Sequence, residues 1–260
     1  MNRLLLFDLD GTLLKNDKTI SPRTADALRR CRQKGDVLGI STSRSESNCR
    51  SFLDAVQPQV MICSGGAVAK VHGKTILQES FSADTGRMML KTIREICGEG
   101  TEITADTIEH HYWNGITDPG SSGKSWEDSV FLDHQTFDQE ALKICTVIHD
   151  EEKARKLAEL FPFAEMIRFS GEDWYKFNKK GVGKEKAVLA VSEETGIPLK
   201  DIIAFGDDVT DIGMLKMAGI GIAMGNAVEE VKKIADVIIG SNEEDGIAFY
   251  LEELLNREDR

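Results

Sequence analysis

Near its beginning the chain reads Leu4-Leu5-Leu6-Phe7-Asp8-Leu9-Asp10-Gly11-Thr12-Leu13. Four apolar residues lead directly into two carboxylates and a glycine. A short, continuous apolar run of this kind is typical of a parallel strand that is buried on both faces. Because ligands of open α/β sheets bind outside the carboxyl ends of the strands, we expect Asp8 and Asp10 to lie at a binding edge.

The same alternation of apolar strands and helices recurs at both ends of the chain. It predicts an α/β domain with a doubly wound, Rossmann-like parallel sheet. The predicted core strands are Leu4–Leu9, Val37–Ser41, Ile202–Phe205, Ile220–Ala223 and Val237–Ile239. The predicted core helices are Pro22–Lys34, Glu46–Val56, Glu185–Thr195, Ile212–Ala218, Ala227–Ala235 and Asp245–Leu255.

The middle of the chain has a different pattern. Between residues 82 and 180, several short strands accompany two predicted helices, Thr85–Cys97 and Glu151–Phe161. This pattern favours an α+β module inserted into the first domain. We therefore expect a core formed by residues 1–81 and 181–260, and an inserted cap formed by residues 82–180.

Composition limits the partners. The 32 Lys and Arg residues stand against 44 Asp and Glu, a net charge of -12. A surface this negative repels nucleic acid and anionic lipid, and a phosphate site on it needs local cations or a metal. The five cysteines are scattered without ligand spacing, which favours free thiols. No apolar run suits a signal peptide or a membrane span. We expect a cytoplasmic monomer or weak homodimer that binds a small molecule.

The first candidate site is the pair Asp8 and Asp10. Residues two apart in a strand face the same way, so the two carboxylates are expected to converge. Two like charges at short range favour a cation between them, and Mg²⁺ prefers such oxygen ligands. A calcium loop would need acidic residues at Thr12 and Thr19, which the chain lacks. An ordinary polar turn after the strand remains an alternative.

The second candidate site is Ile40-Ser41-Thr42-Ser43-Arg44, between a buried strand and a predicted helix. Thr42 and Ser43 would then lie at a helix amino terminus. Free N–H groups and two hydroxyls at this position can hold an anion. A plain helix cap is the alternative.

The third candidate is Lys184, at the end of Lys179-Lys180-Gly181-Val182-Gly183-Lys184. A lysine in the first turn of a helix opposes the helix dipole, so local physics does not favour it there. A position chosen against local preference indicates a function, here the neutralisation of phosphate charge. Surface lysines are common, however, and Lys179 and Lys180 compete for the same role.

The fourth candidate site is Phe205-Gly206-Asp207-Asp208-Val209-Thr210-Asp211. A strand again ends in clustered acids before a helix, so Asp207 and Asp211 could converge while Thr210 caps the helix. Since Asp is favourable at helix starts, a capping cluster is the alternative. Together with Asp8 and Asp10 at the same sheet edge, the cluster favours a metal site.

Together these four stretches resemble the haloacid dehalogenase-like (HAD) superfamily, in particular its Cof-type phosphatases of subfamily IIB. Asp8-Leu9-Asp10-Gly11-Thr12 resembles the first motif, Thr42-Ser43-Arg44 the second, Lys184 the third, and the stretch from Gly206 to Asp211 the fourth. The tail around Ala223-Met224-Gly225-Asn226-Ala227 is similar to the Cof-type ending. The position of the insertion between the second and third motifs fits as well.

The resemblance implies a Mg²⁺-dependent phosphatase of a small phosphorylated metabolite such as a sugar phosphate. Asp8 would attack phosphorus, and Asp10 would protonate the leaving oxygen and then activate water. The resemblance implies a metal site made of Asp8, the main-chain carbonyl of Asp10, and Asp207, with Asp211 ligating or orienting. The residues implied to bind substrate are Thr42, Ser43, Lys184, Thr210 and Asn226.

Some positions depart from the family pattern. Ser43 replaces the usual glycine of the second motif, Thr210 replaces the usual asparagine of the fourth, and Gly65-Gly66-Ala67 replaces an Asn-Gly-Ala turn. A phosphomutase of the phosphomannomutase type, which shares the fold and cap, is therefore an alternative. A receiver-like regulatory domain and a non-catalytic sugar-phosphate-binding protein are further alternatives.

The inserted module is expected to act as a lid that excludes water and selects substrate. Its aromatic residues are candidates for stacking on a substrate, although such residues more often belong to a core or rim. The candidates are Trp113, Trp126, Trp174 and Tyr175.

Overall fold

A computed structural model of the chain describes residues 3–115 and 129–258. Its strands are β1 (Leu4–Phe7), β2 (Val37–Ser41), β3 (Val60–Cys63), β4 (Val68–Val71), β5 (Lys74–Gln78), β6 (Ile103–Asp106), β7 (His111–Trp113), β8 (Ser129–Phe131), β9 (Lys143–Val147), β10 (Ala164–Arg168), β11 (Trp174–Lys179), β12 (Ile202–Gly206), β13 (Ile220–Ala223) and β14 (Val237–Ile238). Its α-helices are α1 (Pro22–Gln33), α2 (Arg50–Val56), α3 (Ala83–Cys97), α4 (Glu151–Leu160), α5 (Lys184–Thr195), α6 (Ile212–Met217), α7 (Glu229–Lys232) and α8 (Gly246–Glu258).

The larger sheet has the strand order β14-β13-β12-β1-β2-β3-β4-β5. The six strands from β14 to β3 are parallel, and β4 and β5 extend the sheet in antiparallel fashion. Strand β1 lies between β12 and β2, so Leu4 is in register with both Ile202 and Val37. The carboxyl ends of β1, β2 and β12 therefore meet at one edge of the sheet.

Burial explains the position of β1. Its four residues are 0% exposed, and Phe7 stacks on Phe205 of β12 with ring centroids 4.7 Å apart. Burying a large apolar side chain contributes roughly 1.5–3 kcal/mol, so the strand is firmly anchored. The contact between α1 and α8, and the packing of α5 on β4, add to the same hydrophobic core. The predicted α/β fold class is confirmed.

The second sheet is formed by the middle of the chain, in the order β10-β11-β9-β6-β7-β8. One of its faces packs against α3 and α4 in a hydrophobic cluster of its own, which includes Ile144 and Phe177. The opposite face carries polar side chains because residues alternate along each strand. On that face Thr104, Cys145 and Lys176 stand side by side in register.

Several predicted element boundaries need correction. The first strand ends at Phe7 rather than Leu9, and the predicted helix Glu46–Val56 begins as α helix only at Arg50. Before Arg50, the Ser45 hydroxyl accepts a hydrogen bond from the Asn48 N–H and replaces a helical bond. The predicted helix Ala227–Ala235 is reduced to α7, because Asp236 pairs with Gly221 beside β13.

All five cysteines are free, as the spacing predicted. Within the described part of the chain, no helix combines the length and apolar character needed to cross a bilayer.

Candidate active site

Three carboxylates meet at the edge of the larger sheet. Asp8 follows β1, and Asp207 and Asp211 follow β12. One oxygen of each lies within 4.8 Å of the others. The local backbone fixes this arrangement, since the Asp8 N–H donates to the Phe205 carbonyl at 3.0 Å and continues the ladder between the two strands. The convergence of Asp8, Asp207 and Asp211 is as the sequence predicted.

The carboxylates of the cluster are buried or half-buried and repel one another. Burial raises the pKa of Asp8 well above its ordinary value; Lys184 opposes this, and the charges of Asp211 and Asp207 add to it. Burial, followed by repulsion from Asp211, raises the pKa of Asp207 to about 7. Carboxylates in this position are costly to ionise unless a cation neutralises them. The cluster therefore has the chemistry of a site for a hard divalent cation.

Lys184 is the first residue of α5 and is 1% exposed. Its ammonium donates to Asp8 Oδ1 at 2.7 Å and to Asp211 Oδ1 at 2.5 Å. The negative charges of Asp211 and Asp8 outweigh burial and raise the pKa of Lys184 above its usual value. Of the three candidate lysines, Lys184 reaches the site, whereas Lys179 pairs with Glu79 at the surface.

Asp211 holds the loop after β12 in place. Its Oδ1 accepts from Lys184, and its Oδ2 accepts from the N–H groups of Asp207 and Asp208 at 3.1 Å each. Both oxygens are thus engaged in positioning the cluster. The expected capping by Thr210 is wrong, because Asp208 caps the short 3-10 helix Val209–Asp211 in a capping box with Asp211. Thr210 lines the cavity instead.

Gly11 and Thr12 shape the other side of the cluster. The Thr12 hydroxyl donates to Asp207 Oδ1 at 2.7 Å. Gly11 has a φ of +78°, and a Cβ at this position would lie 2.2 Å from Asp207 Oδ2. A side chain at position 11 would therefore displace Asp207, which accounts for the glycine.

The expected convergence of the Asp8 and Asp10 carboxylates is wrong. Because β1 ends at Phe7, the alternation of a strand no longer applies to Asp10. Its carboxylate binds Arg44 in bidentate fashion, at 2.6 and 2.8 Å, and Lys18 at 2.7 Å. Burial opposes ionisation of Asp10, but these two cations prevail and lower its pKa to about 2. The carboxylate of Asp10 faces the cavity as a paired anion.

Thr42 and Ser43 lie in the loop after β2 and not at a helix amino terminus, so this part of the prediction is wrong. Thr42 is 1% exposed and its hydroxyl accepts from the Arg44 N–H at 3.1 Å. The Ser43 carbonyl accepts from Lys143 at 2.5 Å. Both residues line the same cavity as Asp8.

Asn226 is exposed and braces the first motif. Its Nδ2 donates to the Gly11 carbonyl at 2.8 Å, and its Oδ1 accepts from the Asn242 N–H at 3.1 Å. Asn226 is not among the described residues that line the cavity, and its contacts support the backbone of Gly11.

A cavity of about 550 Å³ opens above the carboxylate cluster. Its floor comes from the larger sheet and includes Asp8 and Asp207; its roof comes from the second sheet. The roof residues are Thr104, His111, Lys143, Cys145, Phe169, Ser170, Glu172 and Trp174. Of the aromatic candidates, Trp174 lines the cavity, while Tyr175 belongs to the hydrophobic cluster of the second sheet. Trp113 is not among the described lining residues, and Trp126 lies outside the described residues.

A buried polar network joins the two sheets, and the sequence did not predict it. The Lys143 ammonium lies 2.9 Å from Asp106 Oδ2 and also donates to the Ser43 carbonyl. Asp106 accepts from the Ser64 hydroxyl at 2.8 Å and pairs with His111 at 2.6 Å. The strand Lys143–Val147 has no regular alternation of polar and apolar residues, so local sequence gave no signal for this network.

Comparisons with known proteins agree with this geometry. Residues 5–251 match the family model for haloacid dehalogenase-like hydrolases. The chain is 31% identical to a 5-amino-6-(5-phospho-D-ribitylamino)uracil phosphatase of Bacillus subtilis, over 95% of this chain and 93% of that protein. It is 27% identical to a pyridoxal phosphate phosphatase of Escherichia coli, over 96% of this chain and 97% of that protein.

Solved structures are similar across the whole chain. A phosphatase of the HAD superfamily from Bacteroides thetaiotaomicron superposes with a TM-score of 0.81 at 27% identity, covering 97% of this chain and 95% of that one. A subclass IIB sugar phosphatase of the same superfamily gives a TM-score of 0.82 at 24% identity, covering 97% and 99%. At that identity the second comparison supports the fold alone.

Proposed function

This chain belongs to the haloacid dehalogenase-like hydrolases, and from this membership we propose that it is a Mg²⁺-dependent phosphatase of a small phosphorylated metabolite, such as a sugar phosphate. The reaction would pass through an aspartyl phosphate on Asp8. The observation that carries the proposal is the position of Asp8, which lies in the three-carboxylate cluster and also lines the cavity.

The substrate class is supported by the relatives. Their names specify phosphatases of a phosphoribitylamino-uracil and of pyridoxal phosphate, which are both small phosphomonoesters. A cavity of about 550 Å³ suits a ligand of that size. The net charge of -12 requires local cations at the phosphate. Lys18, Arg44 and Lys143 line the cavity, and Lys184 binds Asp8 in its floor.

The residues fit a magnesium ion. Burial, with added repulsion from the neighbouring carboxylates, raises the pKa of Asp8 and of Asp207, and a bound dication would favour the ionised form of both. We propose that Asp8, the Asp10 carbonyl and Asp207 hold the metal, and that Asp211 orients them, since its own oxygens already bind Lys184 and two backbone N–H groups. When bound, Mg²⁺ supplies electrostatic stabilisation of the charge on the transferring phosphoryl group.

In the first step, one Asp8 oxygen attacks phosphorus in line with the ester oxygen. The new P–O bond forms to Asp8 as the bond to the leaving oxygen breaks. Lys184 holds Asp8 at 2.7 Å and keeps it oriented for attack. A carboxylate nucleophile divides the hydrolysis into two easier steps. Phosphoryl transfer depends mainly on such positioning and on charge stabilisation.

Asp10 supplies the acid and the base of the two steps. In its present pairing with Arg44 and Lys18 it is ionised at neutral pH, which suits the second step, where it takes a proton from the attacking water. Donation of a proton in the first step requires Asp10 to release these cations to the arriving ester. Arg44 and Lys18 would then face the phosphoryl oxygens, and the negative charge of the ester would raise the pKa of Asp10.

Thr42 and Lys184 are proposed to bind the phosphoryl oxygens, with Ser43 and Thr210 lining the space around them. We further propose that residues 82–180 act as a cap on a core formed by 1–81 and 181–260. Because its polar sheet face covers Asp8, the cap would exclude bulk water while the phosphoenzyme exists.

The test is a screen of phosphorylated metabolites with purified protein and Mg²⁺, in which inorganic phosphate and phosphorylated products are both measured. Release of inorganic phosphate supports the phosphatase. Transfer to a second hydroxyl of a sugar without net phosphate release supports the phosphomutase alternative instead. Absence of both, at several Mg²⁺ concentrations and with a generic aryl phosphate, would contradict the proposal.

A further inference from the structure

One buried cation of the second sheet has no counter-ion. Lys176 of β11 is 4% exposed, and its ammonium makes neither a hydrogen bond nor an ion pair with any residue in the described ranges. The two other buried lysines nearby each have a carboxylate partner: Lys143 pairs with Asp106, and Lys184 pairs with Asp8. An unpaired charge in such a position costs free energy, so its retention calls for a ligand.

The side chain of Lys176 projects from the sheet face that roofs the cavity. Lys176 is directly opposite Cys145 of β9, and Cys145 is directly opposite Thr104 of β6. Residues opposite each other in a ladder share a face. Cys145, Thr104 and the preceding same-face residue Trp174 all line the cavity.

The ammonium of Lys176 lies close to Gly65. The loop of Gly65 contacts Thr42 and Lys184, the two residues proposed to bind the phosphoryl group. A Cβ placed on Gly65 would lie 3.1 Å from Lys176 Nζ. The Gly65 N–H donates to the Thr42 carbonyl at 3.1 Å. The next residue, Gly66, packs against the start of α5, where a Cβ would lie 2.7 Å from the main-chain nitrogen of Lys184. The Lys176 ammonium therefore lies at a loop that contacts both Thr42 and the start of α5, next to the lining of the cavity although Lys176 itself is not one of the described lining residues.

A second polar atom at this point also lacks a partner. Asn178 Oδ1 is buried without a hydrogen bond among the described residues, and it too lies 3.1 Å from the Gly65 Cβ position. The amide orientation is fixed, because Asn178 Nδ2 donates to the carbonyls of Ser64 and Leu142. A donor and an acceptor therefore face one small space, which suits an oxyanion with its bound water or hydroxyl.

We propose that the Lys176 ammonium binds an anionic oxygen of the ligand in the cavity. That oxygen belongs either to the transferring phosphoryl group or to a second carboxylate or phosphate on the same substrate. The identity of the ligand as a phosphomonoester rests on the proposed function, but the anion site does not. Burial, followed by repulsion from Lys184 and Lys143, lowers the pKa of Lys176 to about 8, and a bound anion would relieve both costs.

The test measures binding rather than turnover. The full-length Asp8→Asn protein, saturated with Mg²⁺, is titrated calorimetrically with inorganic phosphate, glycerol 3-phosphate and 3-phosphoglycerate, the last two differing by a carboxylate. Each titration is repeated with Lys176→Met added. The matched control is Lys186→Met, because Lys186 of α5 is exposed and pairs with Glu79. A charged hydrogen bond is worth about 1.5–3 kcal/mol, so its loss predicts a roughly 10- to 100-fold weaker affinity.

If Lys176→Met binds all three probes more weakly, the oxygen bound by Lys176 belongs to the transferring phosphoryl group. If only the affinity for 3-phosphoglycerate falls, the oxygen belongs to a second anionic group on the substrate. Affinities within twofold of the background for every probe would overturn the inference, as would the absence of binding by every probe in the background itself. Because an unpaired buried charge is removed, Lys176→Met should melt at or above the temperature of its parent; should it not fold, Lys176→Gln serves in its place.

These outcomes are separable from the fate of the proposed function. Since the readout is equilibrium affinity, an unpaired Lys176 can be shown to bind phosphate even if no phosphomonoester is hydrolysed. Conversely, hydrolysis by the unmodified protein together with unchanged affinities in Lys176→Met would leave the phosphatase standing and remove the anion site.

Discussion

The ammonium of Lys184 lies 2.7 Å from the carboxylate of Asp8, a residue 176 positions earlier in the chain. The same ammonium also contacts Asp211, and both partners are buried. This contact ties the first strand to the helix that follows the second sheet. It links the stability of the fold to the geometry of the proposed nucleophile.

Replacing Lys184 by Met should therefore impair both stability and activity. The substitution leaves Asp8 and Asp211 buried without their cation, which typically costs about 3–5 kcal/mol. Urea unfolding in the absence of Mg²⁺ measures the free energy of unfolding, and phosphate release measures activity, expected to fall at least about 100-fold. Lys186→Met, in the same helix but exposed, should retain both properties. A Lys184→Met enzyme with unchanged kcat would contradict the assigned role.

The raised pKa of Asp207 predicts that the stabilisation of the protein by Mg²⁺ depends on pH. Its folded-state pKa is raised to about 7, so it contributes stability that is present at low pH and lost as the pH rises through 7. The Tm of the metal-free protein should fall between pH 5 and pH 8. Saturating Mg²⁺ should reverse the fall at pH 8, because the ion binds the ionised form. Equal melting curves with Mg²⁺ and with a chelator at pH 8 would rule out the metal site, and Asp207→Asn is the control that should lack the response.

The pairing of Asp10 with Arg44 predicts a shifted pH profile. Arg44 helps to hold the pKa of Asp10 at about 2, so Arg44→Gln should raise that pKa. If ionised Asp10 acts as the base of the second step and that step limits turnover, the acidic limb of kcat should move to higher pH, by roughly one unit. Arg23→Gln removes a comparable bidentate pair, with Glu252 at the surface, and should leave the profile in place. An unmoved acidic limb in Arg44→Gln would show that Asp10 does not titrate in the rate-determining step.

The buried polar network between the two sheets predicts that loss of Asp106 lowers the free energy of unfolding. Asp106 is fully buried, and Lys143, helped by His111, holds its pKa well below the usual range despite burial. Asp106→Asn should lower the free energy of unfolding by about 3–5 kcal/mol, because it leaves the Lys143 charge buried without its partner. Combining Asp106→Leu with Lys143→Met should recover part of the loss. Asp133→Asn, exposed in the same part of the chain, is the control; a neutral Asp106→Asn would show that the pair contributes no net stability.

Much of this arrangement was predictable from local sequence. The apolar runs before Asp8 and Asp207 placed both carboxylates at one edge of a parallel sheet, and family membership agrees with the four motifs. Local physics left Lys184 in competition with Lys179 and Lys180, and the resemblance to the family selected Lys184 among the three. These features follow from short-range sequence patterns, which can be recognised without knowledge of tertiary contacts.

Other features depend on contacts that no local pattern specifies. The carboxylate of Asp10 stays outside the three-carboxylate cluster and binds Arg44, which lies in the loop after β2. Lys143 and Lys176 lie in strands whose polar face meets the opposite sheet, and only the packing of the two sheets makes that face a roof. Tyr175 alternates with Lys176, so it points into the hydrophobic cluster and not into the cavity.

The central claim is that Asp8 carries the phosphoryl group during turnover. The most direct measurement is an acid quench of the enzyme during the first turnover of a hydrolysed substrate with Mg²⁺, followed by mass spectrometric mapping of the phosphorylated peptide. We predict one phosphoryl group on Asp8, absent from Asp8→Asn and lost in the wild-type protein when turnover is allowed to finish. Phosphate release at an unchanged rate by Asp8→Asn, or a phosphoryl group mapped to another residue, would contradict this account.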